Sequence, residues 1–404
     1  MNINKIIQTF VGNEELEKEV IHQFHFFHEH PELSNHEYKT SKYIKDFLMN
    51  LGYVINEVPG TGFTAHLENG LGIKIGLRSE LDALPIEENE YNLIECRKIR
   101  SINKGCMHAC GHDAHQTILL YTLVFLAKHK ELWSGEVIGI FEEGEENGSG
   151  ISPMLEHCRS LNLDYIYGNH VFNEMKTGTI NIQSGPVMAA YGLFDFTIKS
   201  RGGHGSRPDR TINSIGVGSQ IYNYLNEIWL NSFDLEDIVT MAITKFNAGS
   251  TLNVIPSECN IGGTIRYFDK EIGNKAIRII ENAVIELCKL NKAQVIFNLL
   301  TVDSKPVINN EFMSEVAKNA IQQVDNKIKF VDTKWYASET FSEYSTICPT
   351  LFSLVGIKNE EKGCGAEHHN SKFQVDEDAL FIGLKVMISI SLALFKCESI
   401  EDNN

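Results

Sequence analysis

Three short apolar runs, each followed by polar residues, restrict the fold of this chain more than any other feature. They lie in "IKIGLRSELDALP", "EVIGIFEEGEE" and "LDYIYGNHV", where the pattern predicts buried strands over 73–77, 137–141 and 165–167. We expect the third strand to end at His170. In open α/β sheets, sites form at the carboxyl ends of strands, so the polar residues after these runs are candidates for one common site.

Helices are predicted on both sides of these strands. Apolar residues recur at helical spacing over 14–27 and 36–51, and Pro31 supports a break between the two segments. A buried helix is predicted after His112, and a last helix over about 376–395. Because strands alternate with helices, the sequence predicts an α/β fold whose open, mostly parallel sheet is flanked by helices.

The pattern changes after Gly185. Strand-like segments such as "GLFDFTIKS" and "AQVIFNLL" then alternate with helices predicted around 215–230 and 275–290. This arrangement predicts an inserted α+β domain of about a hundred residues, which is a usual domain size. We therefore divide the chain into a larger domain, 1–190 and 305–404, and a smaller inserted domain, 191–304.

Charge and composition narrow the classes of partner. The formal net charge of −17 argues against nucleic-acid binding and against a basic membrane-facing surface, although it does not exclude a small anionic substrate. The nine cysteines are scattered along a long chain, so a disulfide framework is not expected. We see no signal peptide in "MNINKIIQTFVGNEELEKEV", and runs such as "ILLYTLVFLA" are too short to cross a bilayer. These features predict a cytoplasmic protein.

The stretch "GCMHACGHDAH" contains three histidines and two cysteines in eleven residues. Within it, Cys110 and His112 carry good ligand atoms for divalent transition metals, and Gly111 lets the backbone turn so that both side chains face one point. A buried cysteine and a hydrogen-bonded histidine would explain the same residues without a metal. The spacing of Cys106 and Cys110 is not that of a redox pair.

Two adjacent glutamates, Glu145 and Glu146, follow the second strand. Neighbouring side chains point in different directions, so one carboxylate could ligate a metal while the other moves protons. The alternative is a solvated acidic turn, since "EEGEEN" contains four glutamates and such runs usually lie at the surface.

The remaining candidates are weak when each is taken alone. His170, His368 and His369 lie in predicted loops or strand ends where structural histidines are also common. In the inserted domain, the candidates sit in "RGGHGSRP", "TLNVIP" and "GGTIR", which ordinary turns and strands would also explain.

Taken together, nine ordered stretches match one family. They are "HEHPELSNHEYKTSKYI", "LRSELDALPIEE", "GCMHACGHDAH", "FEEGEENGSG", "YGNHV", "SGPVMAAYGLFDFTIKSRGGHGSRPD", "NVIPSECNIGGTIR", "SETFS" and "HHNSKFQVDEDAL". On these stretches the chain resembles the metallopeptidase-like amidohydrolases, the group of hippurate hydrolase, indole-acetyl-amino-acid hydrolase and N-acetyl-diaminopimelate deacetylase. The resemblance implies a zinc-exopeptidase-like catalytic domain, here 1–190 and 305–404, and a smaller lid and dimerisation domain, here 191–304.

The resemblance also implies a pair of divalent metal ions in the larger domain. Cys110 would bridge the two ions, His112 and His170 would complete one site, and Glu146 and His369 would complete the other. A thiolate with imidazoles suits Mn, Zn, Co or Ni better than Ca or Mg, and we expect Mn or Zn.

Further roles follow from the same resemblance. Glu145 would be the general base and acid, and His204, Asn253 and Arg266 would bind the substrate carboxylate or the oxyanion. The smaller domain of this family also pairs subunits, so we expect a homodimer or higher homo-oligomer in which His204 or Asn253 serves a neighbouring chain's site.

The sequence thus predicts a metal-dependent amidohydrolase that cleaves the amide bond of an N-acyl amino acid or a similar small N-acyl amine. Two alternatives stay open. The same metal site could act on a dipeptide bond or a carbamoyl group, or the chain could be a non-catalytic binding protein on this fold. An intact Glu145 weighs against the second alternative, because a binder needs no general base.

The chain departs from the family pattern at several positions beside the candidate residues. Glu80 and Thr340 stand where aspartate is usual, and Glu142-Glu143-Gly144 stands where the family more often has Gln-Pro-Ala. Asp209 stands where histidine is usual, and Asn213-Ser214 where Asp-Pro is usual. Since the five ligand positions and Glu145 are intact, we expect these departures to affect the substrate more than the reaction.

Overall fold

The computed structural model describes residues 3–397. The α-helices of this part of the chain are α1 (Ile3–Val11), α2 (Glu14–Glu29), α3 (Tyr38–Asn50), α4 (His112–Lys128), α5 (Ile151–Arg159), α6 (Ser214–Ser232), α7 (Lys270–Leu290), α8 (Glu311–Val324) and α9 (Asp378–Leu394). Its strands are β1 (Val54–Glu57), β2 (Phe63–Asn69), β3 (Lys74–Glu80), β4 (Gly135–Glu142), β5 (Tyr165–Lys176), β6 (Thr179–Asn181), β7 (Gly185–Met188), β8 (Ala190–Lys199), β9 (Gly203–His204), β10 (Val239–Ala248), β11 (Val254–Ile255), β12 (Glu258–Tyr267), β13 (Gln294–Thr301), β14 (Val307–Asn309), β15 (Lys329–Phe330) and β16 (Thr350–Lys358).

The described residues form two compact units. The first comprises residues 3–185, 308–333 and 340–397, and the second comprises Pro186–Val307 and Lys334–Glu339. The segment 334–339 groups with the second unit, although the sequence assigned it to the larger domain, because Trp335 exchanges backbone hydrogen bonds with Val187 and Ala189. The predicted larger domain also includes residues 1–2 and 398–404, which lie outside the described residues.

The first unit is built on an eight-stranded sheet with the order β1-β2-β4-β3-β5-β16-β6-β15. Its four central strands, β4, β3, β5 and β16, are parallel neighbours, whereas β2 runs antiparallel to β4 and β6 antiparallel to β16. Helices α4 and α9 are buried along nearly their whole length, and the central strands are mostly buried on both faces, as expected for a covered parallel sheet. The predicted α/β fold class is confirmed.

Two elements of this unit differ from the prediction. Helix α1 was not predicted, although Ile6, Ile7 and Val11 form its buried face. Strand β5 is longer than predicted, so the expectation that His170 ends a strand is wrong. Strand β5 pairs with β3 only as far as Gly168 but continues along β16 to Lys176, and its polar residues Asn169, His170 and Asn173 are buried within the sheet.

The second unit is an α+β structure with its own core. Its antiparallel sheet has the order β10-β12-β8-β13, and α6 and α7 contribute buried residues to the same apolar cluster as the sheet. Helix α7 begins at Lys270, five residues earlier than predicted, because the Asp269 side chain caps it by accepting hydrogen bonds from the backbone N–H groups of Glu271 and Ile272.

Within residues 3–397, none of the helices combines the length and the apolarity that crossing a bilayer requires.

Candidate metal centre

A glycine fixes the loop that carries the first two candidate ligands. Gly111 precedes α4 with a φ of 91°, a left-handed conformation that favours glycine. A Cβ atom at this position would lie 2.3 Å from Cγ2 of Val171, so a larger residue has no room. Two residues earlier, the Ala109 carbonyl accepts a hydrogen bond from the backbone N–H of His369 at 2.9 Å, which ties the C-terminal loop to this one.

Five side chains with metal-ligand atoms meet at this loop. The ligand atoms of Cys110, His112 and His170 all lie within 4.8 Å of one another, and so do those of Cys110, Glu146 and His369. Cys110 therefore belongs to both groups. The structure thus brings together all five residues that the resemblance assigns to the metal ions.

Hydrogen bonds orient both buried histidines of this cluster. Nδ1 of His112 lies 2.9 Å from the carbonyl oxygen of Asp82 and 3.2 Å from its Oδ1, and Nδ1 of His170 lies 2.6 Å from the carbonyl oxygen of Val171. Such bonds hold the Nε2 atoms toward the cluster, as outer partners do in protein metal sites. The carboxylate of Asp82 also accepts a hydrogen bond from the backbone N–H of Glu146, so Asp82 supports two candidate ligands.

The donor set fits divalent transition metal ions. Among residues 3–397, Nε2 of His112 and Oε1 of Glu146 are buried and have no hydrogen-bond partner, although they lie 3.7 Å apart. Burial raises the pKa of the Cys110 thiol, and the neighbouring Glu146 carboxylate raises it further. A cation held by the sulfur, imidazole and carboxylate atoms would satisfy the orphaned atoms and favour the thiolate.

The two adjacent glutamates have different partners. They begin a short 3-10 helix, Glu145–Asn147. Oε2 of Glu146 lies 3.3 Å from Nε2 of His369, which is in the C-terminal loop. Oε1 of Glu145 instead accepts a hydrogen bond from the backbone N–H of Thr340 at 3.1 Å. The acidic run is not a solvated turn, because Glu142 is fully buried and Glu143 is 7% exposed.

Residues 76–393 match the model of the peptidase family M20/M25/M40. The chain belongs to this family. The predicted kinship with metal-dependent amidohydrolases and the predicted enzyme class are thereby confirmed.

The sequence matches between this M20-family chain and its relatives cover most of its length. Thermostable carboxypeptidase 1 of Saccharolobus solfataricus is 32% identical over 374 residues, which cover 91% of this chain and 93% of that protein. IAA-amino acid hydrolase ILR1-like 4 of Arabidopsis thaliana is 30% identical, with 90% and 83% covered. N-acetyl-L-cysteine deacetylase of Bacillus subtilis is 30% identical, with 90% and 85% covered.

Solved structures agree with the family assignment. A protein of methicillin-resistant Staphylococcus aureus is 26% identical with a TM-score of 0.88, and the match covers 98% of this chain and 100% of that one. A Bacillus subtilis protein described as a dinuclear metal-binding peptidase of the M20 family is 27% identical with a TM-score of 0.82, covering 95% and 99%. The M20 chain is therefore a hydrolase that depends on divalent metal ions.

The other conspicuous histidines of the M20 chain have structural surroundings. Nδ1 of His115 lies 2.8 Å from Oε2 of Glu80, and its Nε2 accepts a hydrogen bond from the backbone N–H of Val171. Both ring nitrogens of His115 are therefore engaged, although its ligand atoms group with those of Glu80 and His112. His108 is fully buried, and within the described chain neither of its ring nitrogens has a hydrogen-bond partner.

The predicted substrate-binding residues lie in the second unit. His204 and Asn253 are neighbours there, because β9 pairs with β11 and the Asn253 carbonyl accepts a hydrogen bond from the backbone N–H of Gly205. Arg266 lies on β12, where its half-buried guanidinium packs over the ring of Tyr191 at 5.5 Å.

Glu80, Glu142 and Thr340 contact one buried arginine of the first unit. Arg78 bonds Glu80 through Nη1, Oε2 of Glu142 through Nε at 3.0 Å, and Oγ1 of Thr340 through Nη2 at 2.8 Å. These contacts, and the support that Asp82 gives to the ligands, were not predicted. The available signal was the run of charged residues at the end of β3, where residues 78, 80 and 82 alternate along the chain.

Proposed function

We propose that this M20-family enzyme hydrolyses the amide bond of an N-acyl amino acid, or of a similar small N-acyl amine, to a carboxylate and an amine. The observation that carries the proposal is the cluster of five ligand-type side chains beside Glu145, whose carboxylate has a partner different from those of Glu146. An amide is unreactive, so its cleavage needs both a polarised carbonyl and an activated water.

Cys110, His112 and His170 would hold one divalent ion, and Cys110, Glu146 and His369 would hold the second. Mn or Zn is the proposed metal, and Co or Ni would suit the same atoms. Bound ions of this kind polarise a carbonyl and lower the pKa of water.

Glu145 is the proposed general base and acid. Its carboxylate would accept the proton of the attacking water and deliver it to the nitrogen of the leaving amine. Such proton transfer contributes about 10²–10⁴-fold in rate. The hydrogen bond from the Thr340 backbone N–H to Oε1 of Glu145 holds this carboxylate in one orientation.

The second unit is the proposed lid and dimerisation domain. The guanidinium of Arg266 offers a planar fork for a free α-carboxylate, and His204 and Asn253 would bind the carboxylate or the developing oxyanion. The names of two relatives, N-acetyl-L-cysteine deacetylase and IAA-amino acid hydrolase, support an acylated amino acid as substrate. We also propose a cytoplasmic homodimer or higher homo-oligomer in which His204 or Asn253 acts on a neighbouring chain's site.

One observation favours a second candidate substrate. The relatives from Saccharolobus solfataricus are carboxypeptidases, which supports cleavage of a C-terminal peptide bond on the same metal site. An N-acyl amino acid and a peptide cleaved at its C-terminal bond both carry a free carboxylate, so these two substrates differ on the acyl side.

A substrate panel with a matched variant tests the proposal. The purified enzyme is loaded with Mn or Zn and assayed on N-acetyl, N-benzoyl and N-carbamoyl amino acids and on dipeptides. We expect turnover of acylated amino acids and a loss of about 10²–10⁴-fold in kcat for Glu145→Gln, with its metal content unchanged. Full metal occupancy without turnover of any member would show a binding protein, and an active Glu145→Gln would refute the role of Glu145.

A further inference from the structure

Arg78 is the centre of a buried polar network in the first unit. Its side chain and those of Glu80 and Glu142 are fully buried. Each of its three nitrogens meets one of the partners named above, and the Thr340 hydroxyl in turn donates to Oε1 of Glu142 at 2.7 Å. The hydroxyl of Tyr344 donates to the other oxygen of Glu142 at 2.8 Å.

The Thr340 hydroxyl has a bridging place in this network. It accepts a hydrogen bond from Arg78 and donates one to Glu142, which uses the single donor of a hydroxyl and one of its lone pairs. The backbone N–H of the same residue donates to Oε1 of Glu145. Side-chain contacts with two buried charges therefore fix the residue whose backbone orients the Glu145 carboxylate.

We propose that Thr340 and Glu142, held by Arg78, are positioning residues for Glu145, and that they act as one exchangeable pair. This inference rests on the proposed role of Glu145 as general base. The two residues are bonded to each other through the Thr340 hydroxyl. The pair places one carboxylate, on β4, and one hydrogen-bond donor, on the 3-10 helix Thr340–Thr346, beside the arginine.

Charge explains why the two positions depend on each other. Buried Arg78 is compensated by Glu80 and Glu142, and a buried ion pair that loses one partner leaves an uncompensated charge. Thr340→Asp alone would place a third carboxylate within hydrogen-bond distance of Glu142. Glu142→Gln alone would remove a carboxylate, whereas the double variant would restore one carboxylate and one donor across the same bond.

The first test removes the hydroxyl and keeps the shape. Thr340→Val should lower kcat by about 10–100-fold with little change in KM, because a displaced carboxylate binds no less substrate but reacts more slowly. Thr340→Ser should restore kcat, since it keeps the hydroxyl. The matched control is Thr346→Val, the same change in the same helix at an exposed hydroxyl that donates only to the Glu343 carbonyl, and it should leave kcat unchanged.

The second test is a double-mutant cycle on the full-length, metal-loaded enzyme. We expect the kcat of Glu142→Gln with Thr340→Asp to exceed that of either single variant, with the same metal content in all of them. Thermal unfolding of each metal-free protein reports any general loss of stability. A double variant no better than Thr340→Asp, or losses that simply multiply, would overturn the exchangeable pair.

The outcomes separate this inference from the proposed function. If Glu145→Gln is inactive while Thr340→Val has the wild-type kcat, the positioning role is wrong and the general base stands. If Glu145→Gln keeps turnover, both are wrong. A loss in Thr340→Val that appears mainly in KM, or that Thr340→Ser does not rescue, would show a structural role only.

Discussion

Gly111 shows how a single residue controls the candidate metal centre. Its left-handed backbone lets Cys110 and His112 face one cluster, and its missing side chain makes room for Val171. Two separate effects are combined at this position, the cost of the left-handed backbone and the cost of a steric overlap. The chain offers a second glycine that isolates the first effect.

We predict that Gly111→Ala lowers the free energy of unfolding by about 2–4 kcal/mol and reduces the amount of bound metal. The strain of the left-handed backbone and the steric overlap with Val171 both contribute to this loss. Gly52 has nearly the same φ, 89°, and apart from its own residue and its two chain neighbours no described residue would lie within 4 Å of a Cβ atom there. Gly52→Ala should therefore cost only about 1–2 kcal/mol and keep the metal. Chemical denaturation and metal analysis of both variants measure this, and equal losses would contradict the steric account.

The ligand-type residues were easier to predict from the sequence than the residues that orient them and Glu145. Cys110 and His112 lie in a dense motif, and His170 and His369 were recognisable because the whole set of stretches matches a family. The bond from Thr340 to Glu145 joins residues 195 positions apart through a backbone N–H. Every residue type except proline could supply that N–H, so the sequence contains almost no signal for it.

A buried histidine links two helices of the first unit. His28 of α2 lies 2.7 Å from the carboxylate of Asp113 on α4 and 2.9 Å from that of Glu88. Burial alone would lower the pKa of His28, but these two carboxylates raise it to about 10. The imidazolium is therefore the folded-state form at neutral pH, and it joins α2 to the first turn of α4.

The sign of the pH dependence follows from the raised pKa. The stabilisation by His28 is complete below its unfolded-state pKa of about 6.5 and is lost as the pH rises toward about 10. We predict that His28→Gln costs about 3–5 kcal/mol near pH 6 and that the difference from the wild type shrinks steadily up to pH 10. Denaturant unfolding of the variant and the wild type at several pH values measures this difference in the free energy of unfolding.

The control for this prediction lies on the same helix. His25 pairs with Glu377 at 2.6 Å, and both side chains are partly exposed. His25→Gln should cost no more than about 1 kcal/mol. A His28→Gln deficit that stays constant between pH 6 and pH 10 would show that His28 contributes by packing and not by charge.

Helices and strands were predictable where a local apolar pattern determines them. Their bounds were less predictable where a neighbouring strand or a capping side chain determines them. Helix α9 and strands β3 and β4 are buried along their length, and their apolar runs were enough to locate them. Strand β5 extends nine residues beyond Tyr167 because β16 provides hydrogen bonds for part of it. An apolar run in the sequence does not show how long the neighbouring strand is. Helix starts also shifted where a cap, such as Asp269, extended the helix.

At the scale of the molecule, the candidate centre collects ligands from distant parts of the first unit. Ions that bind only the folded protein stabilise it by mass action. We predict that a chelator lowers the melting temperature by roughly 5 °C and that added Mn or Zn restores it. Scanning calorimetry of the full chain measures the shift.

A matched pair of cysteine variants assigns the shift to the proposed site. Cys110 and Cys106 lie in the same loop and are both 7% exposed, but only Cys110 belongs to the ligand cluster. Cys110→Ser should reduce the response to chelator, whereas Cys106→Ser should respond like the wild type. An identical chelator response in Cys110→Ser and the wild type would exclude Cys110 as a ligand.

The order of the ligands along the chain has a consequence for synthesis. Cys110 and His112 precede the second unit, whereas His369 follows it. About 260 residues separate Cys110 from His369, so at about 5–20 residues per second a ribosome needs roughly 13–50 s between them. Once His170 has been made, a nascent chain presents the Cys110 thiol and two imidazoles without the last proposed ligand, and the proposed site that includes His369 cannot be completed until residue 369 is translated.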